Sequence, residues 1–454
     1  MRHRTIAVLA VFGILFQNGL NSLVQRLIGV AFDDLLETPP DRDSLLTITL
    51  IILVVVIFRS LLDLGGSLLF GMTGELVERD IREELYLDLL GKSQTFHNRQ
   101  RVGDLMARAN NDVRQINMMI VPGISLIVDS FAALIVPIVF IAFLKWQLLL
   151  SPLLFVVVFI YTLRLYMRKV EPVAGAQRML FGQMNSTLTE TVTGIEVVKS
   201  TAQEAQEEGK FVNAAKQYRD MAVKQGRIDA GYLPILFVGL AMALAGAHGL
   251  YLIDKGQLTV GELVTYLGLM SLLRFPTFIS LFTFSLVQLG RASAARVLGL
   301  INESTELDPN SSGRDEPIKG RIEFSDVSFS YGGDPVLDHV SFTAEPGETV
   351  AIVGETGSGK SSLTKLINRI YDVDSGTVRV DGVDVREWDL DALRSQISTI
   401  EQDIVLFSRP IGENIAFSLG QDATIDQIRK AAADAQADGF ISEMPEQYET
   451  VIGE

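Results

Sequence analysis

"GETGSGKSS", residues 354–362, has the spacing G-x-x-x-x-G-K-[ST] of a phosphate-binding loop. The longer stretch "TVAIVGETGSGKSSLTKLINRI" (349–370) predicts strand, loop and helix in that order, the context the motif requires. Gly354, Gly357 and Gly359 let the backbone turn tightly and bring its N–H groups up to phosphate oxygens with no Cβ in the way. Glu355, Thr356 and Ser358 complete the cradle through the same main chain, and the positive end of a helix starting near Gly359 adds to it. In this chemistry Lys360 reaches the β- and γ-phosphates, Ser361 ligates Mg²⁺, and Ser362 bonds an α-phosphate oxygen. Nucleotide binding is the strongest inference the sequence offers.

The chain ahead of this loop is very different. The mean hydropathy of the 454 residues is +0.28, and long apolar runs crowd residues 1–290. A hydrocarbon core of about 30 Å needs about 20 helical residues. Six spans fit, near 6–30, 44–70, 119–143, 147–167, 232–253 and 261–289. Short links join the first to the second, the third to the fourth and the fifth to the sixth. Polar helical stretches at about 71–117 and 168–230 make the other two connections. These carry many cations, among them Arg79, Arg82, Lys92, Arg99, Arg101, Arg108 and Arg114, which place them in the cytoplasm. Six spans also return the chain to the cytoplasm near Leu289, where a nucleotide site has to be. The opening "MRHRTIAVLAVFGILF" has no A-x-A-like cleavage site after it and is read as an uncleaved first span.

Charge divides at the same place. The net charge is −16, and residues 301–454 hold 30 Asp and Glu against 12 Lys and Arg, as a solvated cytosolic domain does. No basic patch with interleaved aromatics points to nucleic acid. With no cysteine and four scattered His, disulfides and thiolate metal sites are excluded and a His-based centre is not expected. "ESTELDPNSSGRDEPIKG" (303–320) has linker composition. Beyond it, β-type runs such as "RIEFSDVSFSY", "ETVAIVGE" and "GTVRVDG" alternate with helical ones such as "SSLTKLINRI", which predicts an α/β domain.

With these residues in view, the chain resembles an ABC transporter of the exporter type over nearly its whole length. "TFHNRQRVGDLMARANNDV" (95–113) and "TVTGIEVVKSTAQEAQEEGKF" (191–211) resemble the two intracellular loops of such exporters. "IEFSDVSFSYGGDPVLDHVSFTAEPGETVAIVGETGSGKSSL" is similar to the start of their nucleotide-binding domain, and "ISTIEQDIVLFSRPIGENI" to their Q-loop segment. The resemblance implies an α-helical transmembrane domain with long intracellular helices (1–300), a linker (301–320) and a partial α/β P-loop NTPase domain of the ABC type (321–454).

It further implies that Tyr331 is the aromatic that stacks on adenine and that Gln402 is the Q-loop glutamine, reaching the Mg²⁺ and the attacking water. By themselves, Tyr331 fits strand packing equally well, and a Gln after a short strand is ordinarily a surface residue. Glu401 and Pro410 depart from the usual pattern. Short transverse helices at the loop tips are expected near 103–109 and 194–202. The implied activity is ATP-driven export by a dimer of half-transporters, homo- or heteromeric, in the cell (inner or plasma) membrane, with an unidentified substrate. Two other readings stay open: an ATP-binding scaffold or regulated channel of ABC type, and a membrane-tethered P-loop NTPase.

Hydrolysis needs an acidic residue on the Mg²⁺ shell and a group that orients water. After Ser362 the candidate strands "TVRVDG" and "STIEQD" are interrupted by polar residues, and no L-S-G-G-Q signature follows. "EMPEQYETVIGE" resembles the stretch leading into that signature, so the chain is expected to be truncated and to bind ATP without hydrolysing it. Inside the spans, Arg59 and Asp63 lie four apart and are expected to neutralise each other, while Arg26, Asp129 and Arg274 have no local partner. Gln17, Asn18 and Asn21 form a polar stripe read as helix–helix glue.

Overall fold

The computed structural model describes residues 3–38, 40–231, 234–305, 307–402, 404–420 and 423–453. They divide into two compact units, residues 1–89 with 103–302, and residues 90–102 with 303–454.

The first unit is helical because hydrocarbon offers the backbone no hydrogen-bond partner, so each spanning segment must satisfy its own N–H and C=O groups. Its helices are α1 (Arg4–Leu36), α2 (Arg42–Gly91, whose last two residues fall in the second unit), then, beyond a short helix α3 (Gln94–Arg99), α4 (Val102–Ala107) and α5 (Val113–Met118). There follow α6 (Ser125–Leu144), α7 (Leu150–Thr193), α8 (Ile195–Ser200), α9 (Glu204–Ala230), α10 (Pro234–Asp254), α11 (Val260–Leu272) and α12 (Arg274–Ile301). Six helical segments among the described residues are long and apolar enough to cross a membrane, the number the sequence predicts. In α2 only 6% of the most apolar window is buried, as for a helix solvated by lipid.

Packing within this unit follows the small residues and the polar ones. At the α1–α11 crossing, a Cβ on Gly29 would sit 2.3 Å from the Gly261 carbonyl oxygen, so only glycine permits the approach. There the Gly261 N–H donates to Asp33 at 2.7 Å, and Thr259 caps α11 in a capping box with Glu262. Tyr266, fully buried, donates its hydroxyl to the Leu148 carbonyl at 3.0 Å, within an apolar cluster that includes Ile141, Phe155 and Leu269. The polar stripe on α1 does act as glue. Gln17 donates to Asp63 at 2.9 Å, Asn18 to Asp129 at 2.9 Å, and Asn21 accepts from Arg59 at 2.8 Å. Arg59 and Asp63 therefore do not neutralise each other: each turns to an amide on α1, since cross-helix bonds satisfy both groups at once.

The second unit is built on a four-stranded antiparallel sheet of order β2-β1-β3-β4: β1 (Ile322–Ser330), β2 (Pro335–Ala344), β3 (Ser375–Val380) and β4 (Val383–Asp384). Helix α13 (Lys360–Ile367) packs Leu363 and Leu366 against Phe324, Val378 and the fully buried Trp388. The chain continues through α14 (Leu390–Ser395), β5 (Arg409–Pro410), α15 (Ile411–Ile415), α16 (Ile425–Asp434), α17 (Asp438–Glu443) and β6 (Val451–Ile452), with β5 and β6 paired antiparallel.

One expected strand is missing. Residues 348–355 of "ETVAIVGE" form no strand; residues 398–402, which polar side chains interrupt, form none either. Val353 is 91% exposed and Ile400 97%. A run apolar on both faces, such as "VAIV" (350–353), is a central-strand sequence, which needs a ladder on each side; among the described residues it finds none.

The stretch ahead of β1 has neither helix nor strand but is anchored. Arg314 exchanges main-chain hydrogen bonds with Glu387 and Asp389, and its guanidinium lies over the Trp388 ring at 5.3 Å. The Asp381 carboxylate accepts from the N–H groups of Lys319, Gly320 and Arg321 at 2.6, 3.1 and 3.0 Å. Burial opposes the charge, but these donors outweigh it and hold the carboxyl below the usual carboxylate range. A depressed folded-state pKa contributes stability above the ordinary Asp range that is lost as pH falls through the folded value. Asp381→Asn is expected to lower stability at neutral pH by about 1 kcal/mol and to flatten its acid dependence. Denaturant unfolding at several pH values, followed by tryptophan fluorescence, checks this.

Candidate functional site

The loop before α13 has the backbone shape its glycines predict. Gly357 and Gly359 both sit at φ +85°, in the left-handed region. At Gly359 a Cβ would also meet the Val336 carbonyl oxygen at 2.9 Å and Leu337 Cδ2 at 2.8 Å, so the helix start is pressed against β2. Ser358 N–H donates to the Glu355 carbonyl at 3.2 Å. The N–H groups of Gly357, Gly359, Lys360 and Ser361 donate to no described residue. Gly354, Glu355, Thr356 and Ser358 are exposed around them. These are unused donors at the positive end of a helix, which is an anion site by its construction.

Lys360 lies along the loop, its Nζ donating to the Gly354 and Glu355 carbonyls at 3.1 and 2.7 Å. The ammonium is thus held by weak neutral acceptors, which a phosphate would replace with charge-assisted bonds. Ser361 is exposed at the first turn of α13, while Ser362 points inward and is buried. A hard cation takes oxygen ligands and keeps several from water or substrate phosphates. The single Ser361 hydroxyl fits a Mg²⁺ carried by a nucleotide, and no cluster of acidic or His ligands lies among the described residues.

Tyr331 stands beside the loop. Its hydroxyl and that of Ser362 are hydrogen-bonded at 3.0 Å, and half of its surface is exposed. Phe329 and Tyr371 hold the ring edge-on, with centroids 4.8 and 5.2 Å away. Next to it opens a cleft of about 430 Å³ lined by Thr95, Asn98, Tyr331, Tyr371 and Asp374. The structure therefore brings Tyr331 to the phosphate loop. Gln402 is exposed and its side chain bonds to no described residue.

Two residues at this cleft escaped the sequence reading. Asn98 donates to the Tyr371 hydroxyl at 2.7 Å, fixing α3 beside the aromatic cluster. Short helices stand near both expected loop positions, α4 (Val102–Ala107) and α8 (Ile195–Ser200), while α3 (Gln94–Arg99) is a further one that belongs with the second unit. Ser93, whose hydroxyl accepts from Phe96 N–H at 3.3 Å, is a cap signal that locates α3 from sequence. Tyr371 carries no comparable signal.

Comparison with known proteins accords with this architecture. The family model for the ABC transporter transmembrane region matches residues 7–277, and that for the ABC transporter domain matches residues 337–452. An ATP-dependent lipid A-core flippase of Syntrophus aciditrophicus (strain SB) is 30% identical over 461 residues, covering 100% of this chain and 75% of the flippase. A probable multidrug resistance ABC transporter ATP-binding/permease protein of Bacillus subtilis (strain 168), YheI, is 30% identical over 99% of this chain and 77% of its own length. Among solved structures, a bacterial Atm1-family ABC exporter with ATP bound superimposes with a TM-score of 0.78 at 26% identity, covering 99% of this chain and 80% of that one. The six apolar helices, the phosphate loop that follows them and a family match over more than half the length make this chain a member of the ABC transporters, an exporter-type half-transporter that is a multi-pass membrane protein with its nucleotide-binding domain in the cytoplasm.

Proposed function

We propose that this chain binds MgATP at residues 354–362 and that, in a dimer with a second half-transporter, such binding drives export of a membrane-partitioning substrate. The observation that carries the reading is the fusion of an anion cradle with unused N–H donors to six apolar helices in one chain. Lys360 takes the β- and γ-phosphates, Ser361 the Mg²⁺ and Ser362 the α-phosphate, with Gly354 to Gly359 supplying main-chain donors. Bound Mg²⁺ supplies charge neutralisation between the phosphates.

Tyr331 offers its exposed face to adenine in the neighbouring cleft, and release of its hydroxyl from Ser362 frees that serine for phosphate. Gln402, exposed and unbonded to any described residue, is free to reach the Mg²⁺ and the attacking water. Two of the relatives carry names of lipid A-core flippase and multidrug transporter, which supports a lipid-like or amphiphilic cargo. The residues after Ser362 supply neither a Walker B strand nor a signature, so these 454 residues hold ATP without cleaving it.

Lys360→Ala is expected to weaken binding of a fluorescent ATP analogue by about tenfold or more, the scale of a lost charge-assisted contact; unchanged affinity would overturn the assignment of the loop. Tyr331→Ala is expected to lose about fivefold or more through stacking, with Tyr331→Phe keeping most of the affinity. Equal losses in both variants would assign the hydroxyl, not the ring. Incubated with MgATP, the 454-residue chain is expected to release no more inorganic phosphate than Lys360→Ala does. Release that depends on Lys360 would refute the non-hydrolysing reading.

A further inference from the structure

Three ionisable residues that the sequence leaves on three different spans, Arg59, Asp129 and Arg274, line one cavity in the helical unit. Its volume is about 570 Å³, within the usual size of small-molecule sites, and Asn18 and Asn21 complete its polar lining. Arg59 and Asp129 lie well inside apolar helices and Arg274 follows the break between α11 and α12; within hydrocarbon a guanidinium costs about 2.5–3.5 kcal/mol by insertion scales and therefore needs an answering group.

The two acids of this region are already engaged by neutral amides: Asp129 accepts from Asn18 and Asp63 from Gln17, each at 2.9 Å. The cations are not answered in kind. Arg59 gives one N–H to Asn21 at 2.8 Å, and its Nε is buried with no hydrogen-bond partner. Arg274 makes no ion pair or hydrogen bond to any described residue, and its helix neighbours Phe275 and Phe278 line the same cavity with apolar surface. Two unanswered guanidiniums next to exposed phenyl rings favour one kind of occupant. A compact oxyanion accepts from both cations, with fork geometry that matches Arg, and a hydrocarbon tail covers the rings.

We infer that this cavity among the apolar helices binds an amphiphile with a phosphate or carboxylate head, its oxyanion held by Arg59 and Arg274 and its hydrocarbon laid along Phe275 and Phe278. The inference names the cargo class of the export reading and rests on that reading only for the step of transport. Binding itself requires no nucleotide, so it is measured without ATP and its outcome stands apart from any failure to pump or hydrolyse.

The experiment is native mass spectrometry of the full chain released from a nonionic detergent, without nucleotide. The probes are dodecyl phosphate, dodecanoate, dodecyltrimethylammonium and dodecyl maltoside. Adducts with dodecyl phosphate, dodecanoate or both should exceed those with the cationic and neutral probes by about tenfold, the factor that 1.4 kcal/mol gives. Preference between the two anions identifies the head group. Arg274→Ala and Arg59→Gln should each remove most of that excess, Arg274→Lys should restore part of it, and Asp129→Asn should preserve or raise it. Should Arg59→Gln fail to fold, the Arg274 pair of variants decides alone. Equal adducts with all four probes, or an anionic excess that survives Arg274→Ala, would overturn the inference.

Discussion

Hydrocarbon cannot accept or donate a hydrogen bond, and every polar group inside the six spans is placed under that constraint. Backbone groups are satisfied within helices, and polar side chains reach across to a neighbouring helix. Gln17, Asn18 and Asn21, one turn or less apart on α1, each take a different charged partner: Asp63 and Arg59 on α2 and Asp129 on α6. The Gly29–Gly261 approach brings α11 against α1 closely enough for Asp33 to cap its first turn. What remains after these pairings is the unanswered charge on Arg59 and Arg274.

In the cytoplasmic unit the governing element is a different one. The phosphate loop leaves most of its main-chain donors unbonded, Ser358 N–H to the Glu355 carbonyl apart, so little of its conformation is held by the hydrogen bonds that stabilise ordinary turns. It is held instead by packing from outside. Gly359 is pressed on β2, Leu363 and Leu366 anchor α13 in the core around Trp388, and Tyr331 is fixed by Phe329 and Tyr371. An anion site is thus prepared before any anion arrives, which is the general requirement for strong phosphate binding.

Much of this was legible in the residues. Span number followed from apolar length, the cytoplasmic side from Lys and Arg in the long connections, and the cradle from the spacing of Gly354, Gly359 and Lys360. Two expectations met a different structure for physical reasons. Arg59 and Asp63 share a helical face, yet a cross-helix amide satisfies each better than an intrahelical pair. "ETVAIVGE" has the composition of a central strand, but composition does not provide the neighbouring ladders that make one. Short helices do form near both loop positions the resemblance suggested, and α3, opened by its serine cap, is one more that it did not suggest.

The sequence by itself determined the local chemistry: which segments are apolar enough to lie in lipid, where the backbone can take a positive φ, and where a lysine and a serine follow a glycine turn. These depend on hydropathy, steric freedom and spacing, all properties of neighbouring residues. Only the tertiary structure decided which polar groups meet. The joining of Asn98 to Tyr371, of Tyr331 to Ser362, and of Arg59 and Arg274 around one cavity spans 273, 31 and more than 200 residues of chain. A pairing across such distances is fixed by how helices and strands pack, and no short-range pattern encodes it.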